Sequence, residues 1–170
     1  PIGIIYIIHL LDSKVHTIKD IKMNIDVPYL GDIPKSNKRK ILISKVDYSA
    51  KAEAFRMVRT NIDFMLQAIN DRAKIIFVTS TTSQEGKSHT SINLASSLSF
   101  SEKKVLLIET DIRVPKATNY LKIKNEIGIT NYIGNDELKS TDVITKLEDN
   151  KFLDVIPSGT IPPNPSELLM

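Results

Sequence analysis

The sequence predicts an α/β fold in which a parallel β-sheet is flanked by helices. Two compact apolar runs, KIIFVT (74–79) and KVLLI (104–108), have the length and β-rich content of strands covered on both faces. A Ser/Thr/Gly turn and a helical segment over 87–100 lie between them. Strand, helix and strand in that order make a βαβ unit, which requires a parallel sheet with helices packed on it. A third run, FLDVI (152–156), adds a further strand.

The remaining elements follow along the chain. The opening run PIGIIYIIHLL is about half of the roughly 20 apolar residues that span a bilayer. It lacks the basic start and the small-residue cleavage site of a signal peptide. It fits either an N-terminal core helix or strand, or the cytoplasmic end of a transmembrane helix. Residues 12–26 carry spaced apolar positions (Val15, Ile18, Ile21), as in an amphipathic helix or linker. Pro28, Gly31 and Pro34 then punctuate the chain ahead of a basic cluster, Lys35, Lys38, Arg39 and Lys40, the composition of a linker or arm. Residues 41–45 suit a short strand.

Ser49 is placed to cap a helix starting at Ala50. In that helix Phe55, Val58, Ile62, Met65, Leu66 and Ile69 recur at helical spacing as one apolar face. A short helix is expected over 128–133. After the proline-rich loop 157–165, Asn164 as cap, Pro165 at the first position and Glu167 at the third predict the start of another helix.

Bulk properties narrow the function. With 170 residues and 41% hydrophobic content the chain suits one domain with a core of its own. It has no cysteine, so disulfides, thiolate metal sites and cysteine nucleophiles are all excluded. His9, His16 and His89 show no ligand spacing, which argues against zinc. The net charge of +3 is small and partly local, which argues against nucleic acid as the partner.

The chemistry points to the turn STTSQEGKSHT, 80–90, directly after a strand and before a helix. Gly86 carries no Cβ to hold a phosphate off the backbone. Successive N–H groups and the helix N-terminus favour an anion there, Lys87 adds a mobile cation for β/γ-phosphates, and the Ser88 hydroxyl suits Mg²⁺. The pattern G-x-x-x-x-G-K-[ST] is degenerate, because Thr81 stands where its first glycine belongs. A helix-capping βα turn is the alternative. The next strand, continuing as IETDIR, delivers Glu109 and Asp111 to its carboxyl end, where ligands sit in open parallel sheets. Acids beside a polyphosphate call for a cation between them, and Mg²⁺ held by Ser88 and Asp111 meets that need. Solvated strand-end acids are the alternative.

These segments, TSTTSQEGKSHTSINLASSL, KKVLLIETDIRVPK and IPSGTIPPNPSELL in that order, resemble the bacterial tyrosine kinases (BY-kinases) that accompany capsular and exopolysaccharide export. AEAFRMVRTNI resembles their E-x-x-R-x-x-R oligomerisation motif through Glu53, Arg56 and Arg59. PIGIIYIIHLLDSKVHTIKDI with VPYLGDIPKS is similar to the segment leaving the second membrane helix of a chain-length-determinant module. The resemblance implies a P-loop fold related to the ParA/MinD ATPases, with ATP and Mg²⁺ as ligands. It divides the chain into a juxtamembrane segment and linker, 1–40, and the N-terminal part of the kinase domain, 41–170. It places the chain at the cytoplasmic face of the bacterial inner membrane. Its implied partners are its own subunits in a ring, the tyrosine tail of a neighbouring subunit and the export machinery, with no nucleic acid among them.

By position, Gly86, Lys87 and Ser88 fall in Walker A, flanked by the candidate nucleotide contacts Gln84, Glu85 and His89. Asp111 matches the second acid of Walker A′, with Ser88 as its partner at the metal, and Arg113 the basic residue after it. Lys87, Asp111 and Glu109 are the candidate catalytic groups. The chain departs from the family at Thr81, at Glu109 (an aspartate in the family) and in ending before the expected Walker B strand and tyrosine cluster; its five tyrosines, Tyr6, Tyr29, Tyr48, Tyr120 and Tyr132, are scattered. On the predicted helix Glu53, Arg56 and Arg59 lie away from the apolar face. There they suit a subunit interface, or a solvated face with Glu53–Arg56 and Arg59–Asp63 pairs. Three functions are expected in order: a P-loop tyrosine kinase; a ParA/MinD-like ATPase switch, a class marked by an extra lysine that 81–84 lacks; and a non-catalytic oligomerisation scaffold.

Overall fold

A computed structural model describes residues 2–11, 17–35, 42–123, 127–165 and 167–168. His16, Lys38, Arg39, Lys40 and Ile41 lie outside the described residues. The chain divides into two compact units, Pro1–Leu30 and Gly31–Met170. The first holds α1 (Ile2–Leu11) and α2 (Ile18–Asn24). Thr17 caps α2 with a full capping box, its hydroxyl accepting from the Asp20 amide while the Asp20 carboxylate accepts from the Thr17 amide. Lys22 lies 5.7 Å from the centre of the Tyr29 ring.

In the second unit α3 (Ala50–Met65) starts where Ser49 caps it by accepting from the Ala52 amide. Phe55, Val58 and Ile62 are buried as their spacing predicts. The helix stops at Met65, half exposed, so Leu66 and Ile69 of the expected face fall in the turns that follow. It packs against α4 (Lys87–Ser99), whose inner residues include Ile92, Asn93, Leu94 and Ala95. Asn93 is fully buried and bonded through both ends of its amide: its side-chain oxygen accepts from the Ile43 amide at 2.8 Å and its nitrogen donates to the His89 carbonyl at 2.8 Å. That pair ties residues 42–45 to α4. Those residues form no strand.

The sheet begins at β1 (Val105–Ile108), followed by α5 (Ala117–Leu121), α6 (Ile129–Gly134), β2 (Thr145–Lys146) and β3 (Leu153–Ile156). Its order is β1-β3-β2. β1 and β3 run parallel with Val105 opposite Leu153 and Ile108 opposite Ile156, while the two-residue β2 runs antiparallel to β3. The sheet is therefore mixed, not purely parallel. Ala95 of α4 packs on Leu153 and Val155, with Val105, Leu107 and Leu147 around them. The α4 helix thus covers the sheet and carries the turn at its own start.

One expected strand is not a strand. Residues 74–79 form no ladder, and exposure alternates along them, with Ile75 at 89%, Ile76 at 39% and Phe77 at 79%. They keep the in-and-out alternation of extended chain, but among the described residues no strand pairs with them. The expected helix after Asn164 is absent among the described residues. What remains there is one turn closed by the Glu167 amide on the Asn164 carbonyl at 3.2 Å.

Candidate functional site

The turn between 79 and α4 is built by its own polar side chains. Gly86 adopts φ 99°, ψ 17°, the left-handed region, and Gln84 adopts φ 66°. Two left-handed residues in three reverse the chain tightly into the helix, and only the glycine does so without a steric cost. An added Cβ at Gly86 would meet nothing within 4 Å, so the left-handed backbone and not packing is what favours glycine there. The N-terminus of α4 has no side-chain cap and no acid in its first turn, in contrast to the hydroxyl-capped α2 and α3. Its cap residue therefore offers the first amides no side-chain acceptor.

Glu85 draws the loop together. Its carboxylate accepts from the hydroxyls of Thr82 at 2.7 Å and Thr81 at 3.2 Å, and from the Thr82 amide at 3.3 Å. The Thr82 hydroxyl and amide, then Ser80 and Thr81, stabilise the charged form and hold its pKa down to about 2 from an ordinary 4.5. The Lys87 ammonium lies across the same loop, donating to the Ser80 hydroxyl at 2.9 Å and the Thr82 carbonyl at 3.2 Å. These neutral acceptors are weak competitors for a phosphate. Ser88 is half-buried in the first turn, and His89 lies beside Phe55 with ring centres 6.0 Å apart.

β1 ends immediately before the two acids, and they differ sharply. Asp111 is exposed, and its Oδ1 accepts from the Arg113 amide at 3.2 Å and the Val114 amide at 3.0 Å, closing a local turn. Glu109 is buried and turned into the loop, accepting from the Lys116 amide at 2.6 Å and the Ala117 amide at 2.7 Å. Arg113 is exposed. Among the described residues no group of three or more His, Cys, Asp or Glu could hold a metal by itself.

The arginine-bearing helix carries internal contacts. Glu53 and Arg56 pair, Arg56 also donates to the Asp47 carbonyl at 2.6 Å, and Arg59 donates to the Ser97 carbonyl of α4 at 2.9 Å. Arg59 and Asp63 are not a pair as sequence spacing suggests: Asp63 meets Lys103 at 2.5 Å. A shallow depression of about 430 Å³ lies elsewhere, between Ile127 and Leu138, and none of the predicted site residues lines it. Sequence reasoning missed the Glu85 clasp and the α5 amides that hold Glu109. The spacing of Thr81, Thr82 and Glu85 at three and four residues is the signal that reveals the first. The second is a contact seven and eight residues away with no local signature.

Comparison with known proteins agrees with this geometry. Residues 76–161 match the CobQ/CobB/MinD/ParA nucleotide binding domain. The tyrosine-protein kinase YwqD of Bacillus subtilis is 36% identical over 132 residues, which cover 78% of this chain and 54% of YwqD. The tyrosine-protein kinase CpsD of Streptococcus agalactiae is 39% identical over 133 residues, 76% of this chain and 55% of CpsD. The solved kinase domain of the Escherichia coli tyrosine kinase ETK superposes with a TM-score of 0.77 at 28% identity, over 92% of this chain and 65% of that one. The chain thus spans about half the length of these curated relatives. With its glycine-lysine-serine turn between an extended segment and a helix that covers a sheet, the chain belongs to the CobQ/CobB/MinD/ParA nucleotide-binding family, and its relatives within that family are bacterial tyrosine kinases.

Proposed function

We propose that this chain is the ATP-binding part of a P-loop protein-tyrosine kinase that regulates surface polysaccharide polymerisation and export. The observation that carries the proposal is the turn at 80–90. A left-handed Gly86, an uncapped helix start and a lysine resting on neutral acceptors await an anion, in a chain whose relatives bear the name tyrosine kinase. Gln84, Glu85, Gly86, Lys87, Ser88 and His89 would form the phosphate side of the nucleotide site, with Arg113 opposite. The backbone amides at the start of α4 bind and orient the phosphates, and Lys87 exchanges its hydroxyl and carbonyl partners for the β/γ-oxygens. Ser88 and Asp111 would hold Mg²⁺, which when bound neutralises charge developing on the transferred phosphoryl group. Asp111, exposed at a strand end, is the acid free to orient an incoming tyrosine hydroxyl or a metal-bound water.

Glu53, Arg56 and Arg59 would build the interface between subunits of a ring, each ring member offering its tyrosine tail to the next. For that, Arg56 and Arg59 must exchange the carbonyls of Asp47 and Ser97 for a neighbour's acids. The juxtamembrane segment 1–40 would hold the kinase part, 41–170, at the cytoplasmic face of the inner membrane, beside the export machinery. Among the described residues no helix is long and apolar enough to cross a membrane; α1, at 10 residues, is about 15 Å long.

The product of the complete gene, given Mg-ATP, is expected to accumulate phosphotyrosine, and Lys87→Ala is expected to abolish it. Phosphotyrosine persisting in that variant would overturn the assignment. ATP hydrolysis with no tyrosine phosphorylation in the wild type would instead support a ParA/MinD-like switch, the reading favoured by the family match alone.

A further inference from the structure

The two acids that end β1 occupy such different surroundings that one chemical role cannot suit both. We propose that Glu109 is a positioning residue, whose carboxylate ties the end of β1 to the backbone amides of Lys116 and Ala117 and so fixes the loop that presents Asp111 and Arg113. The activity part of this inference rests on the kinase function proposed above; the structural part does not.

Three observations carry it. First, a single oxygen, Oε1, accepts both amides at 2.6 and 2.7 Å, short distances typical of charge-assisted bonds. The bonds reach across seven and eight residues and close the whole loop. Second, Glu109 is only 7% exposed and its other oxygen, Oε2, is buried without a donor among the described residues. A carboxylate enclosed in this way is not offered to an incoming hydroxyl. Third, the rest of the loop is organised around the same closure. Ile112 is buried, the Glu109 amide donates to the Ile156 carbonyl of β3 at 2.9 Å, and Asp111 makes its own turn with Arg113 and Val114. Base, plug and tip of the loop are therefore fixed in turn, and Glu109 is the base.

The length of the side chain matters to this role. An aspartate is shorter by one C–C bond, about 1.5 Å. From the same backbone its oxygen would fall outside hydrogen-bonding reach of both amides. The glutamate at this position therefore does what an aspartate could not.

The experiment compares Glu109→Gln with Glu109→Asp. Glutamine keeps the length and an acceptor oxygen but loses the charge, whereas aspartate keeps the charge but loses the reach. Amide hydrogen exchange, read without nucleotide, is expected to show Lys116 and Ala117 protected in the wild type and in Glu109→Gln, and about tenfold less protected in Glu109→Asp. In phosphotyrosine assays Glu109→Gln is expected to lose less in kcat/KM than Glu109→Asp. Glu109→Asp is expected to lose about tenfold or more in kcat/KM, since the loop carrying Asp111 is no longer held. Loss of about a hundredfold in kcat for Glu109→Gln, with its two amides still protected, would overturn the proposal in favour of acid–base chemistry at Glu109. So would amide exchange in Glu109→Asp equal to that of the wild type. If the wild type itself forms no phosphotyrosine, the kinase function fails, and the exchange comparison alone still decides the role of Glu109. Should Glu109→Asp fail to fold, protection of the two amides in Glu109→Gln decides it.

Discussion

Gly86→Ala separates what the fold requires of the phosphate turn from what a nucleotide requires of it. In the folded chain the substitution asks alanine to adopt φ 99°, at a cost of roughly 1–2 kcal/mol for a left-handed residue. Nothing lies within 4 Å of the added Cβ, so no overlap adds to that cost. Alanine also restricts the unfolded chain, which returns about 0.4–1 kcal/mol in favour of the fold. The net loss is about 1 kcal/mol, which for a chain of this size lowers Tm by about 2–4 °C. Binding should respond more strongly. If phosphates approach the backbone at Gly86, a methyl group there displaces them, and a nonhydrolysable ATP analogue with Mg²⁺ should bind at least about tenfold more weakly, or about 1.4 kcal/mol. Differential scanning calorimetry and isothermal titration calorimetry measure the two effects on one preparation. A variant that melts within those few degrees of the wild type yet binds the analogue equally well would refute the phosphate turn. A fall in Tm of more than about 10 °C would refute the openness of the site instead.

Two further perturbations test the packing and the charges around that turn. The Glu85 carboxyl should titrate near 2 by ¹³C NMR, held there by Thr82, Ser80 and Thr81, and Thr82→Ala should raise it towards 4.5. A depressed folded-state pKa means that its contribution to stability is complete above the ordinary carboxylate range and disappears as pH falls from about 4.5 through 2; titration of the wild type near 4.5 would show that the clasp is absent. Asn93→Leu should cost about 2–3 kcal/mol in denaturant unfolding, because it strands the Ile43 amide in a buried place, and a loss below about 0.5 kcal/mol would show that the amide finds another partner.

How much of this was legible in the sequence depends on whether a feature is decided by near neighbours or distant ones. The α3 helix was, because Ser49 and the spacing of Phe55, Val58 and Ile62 lie within one stretch of chain. β1 and β3 were legible as apolar runs, but the expected parallel unit joined 74–79 to 104–108 through α4, whereas β1 pairs in parallel with β3. β2 was not, since two residues carry no periodicity and exist as a strand only because β3 offers a partner. α5 was missed for a similar reason: five residues without a side-chain cap, held at the start by Glu109 from another element.

Residues 74–79 and Glu109 make the limit concrete from opposite directions. The KIIFVT run has high β-propensity, but propensity describes a surface fit and not a bond, and a strand exists only where a second backbone lies alongside. Among the described residues no strand pairs with this run, and Ile75 and Phe77 stay exposed. Glu109 has the reverse history: its residue type, next to Asp111 at a strand end, reads as chemistry, and its surroundings turn it into architecture. An acid is recruited to a reaction by exposure and by what it can still accept. Asp111 has both, and Glu109, one residue pair earlier on the same strand end, has already spent its reachable oxygen on the loop that carries its neighbour.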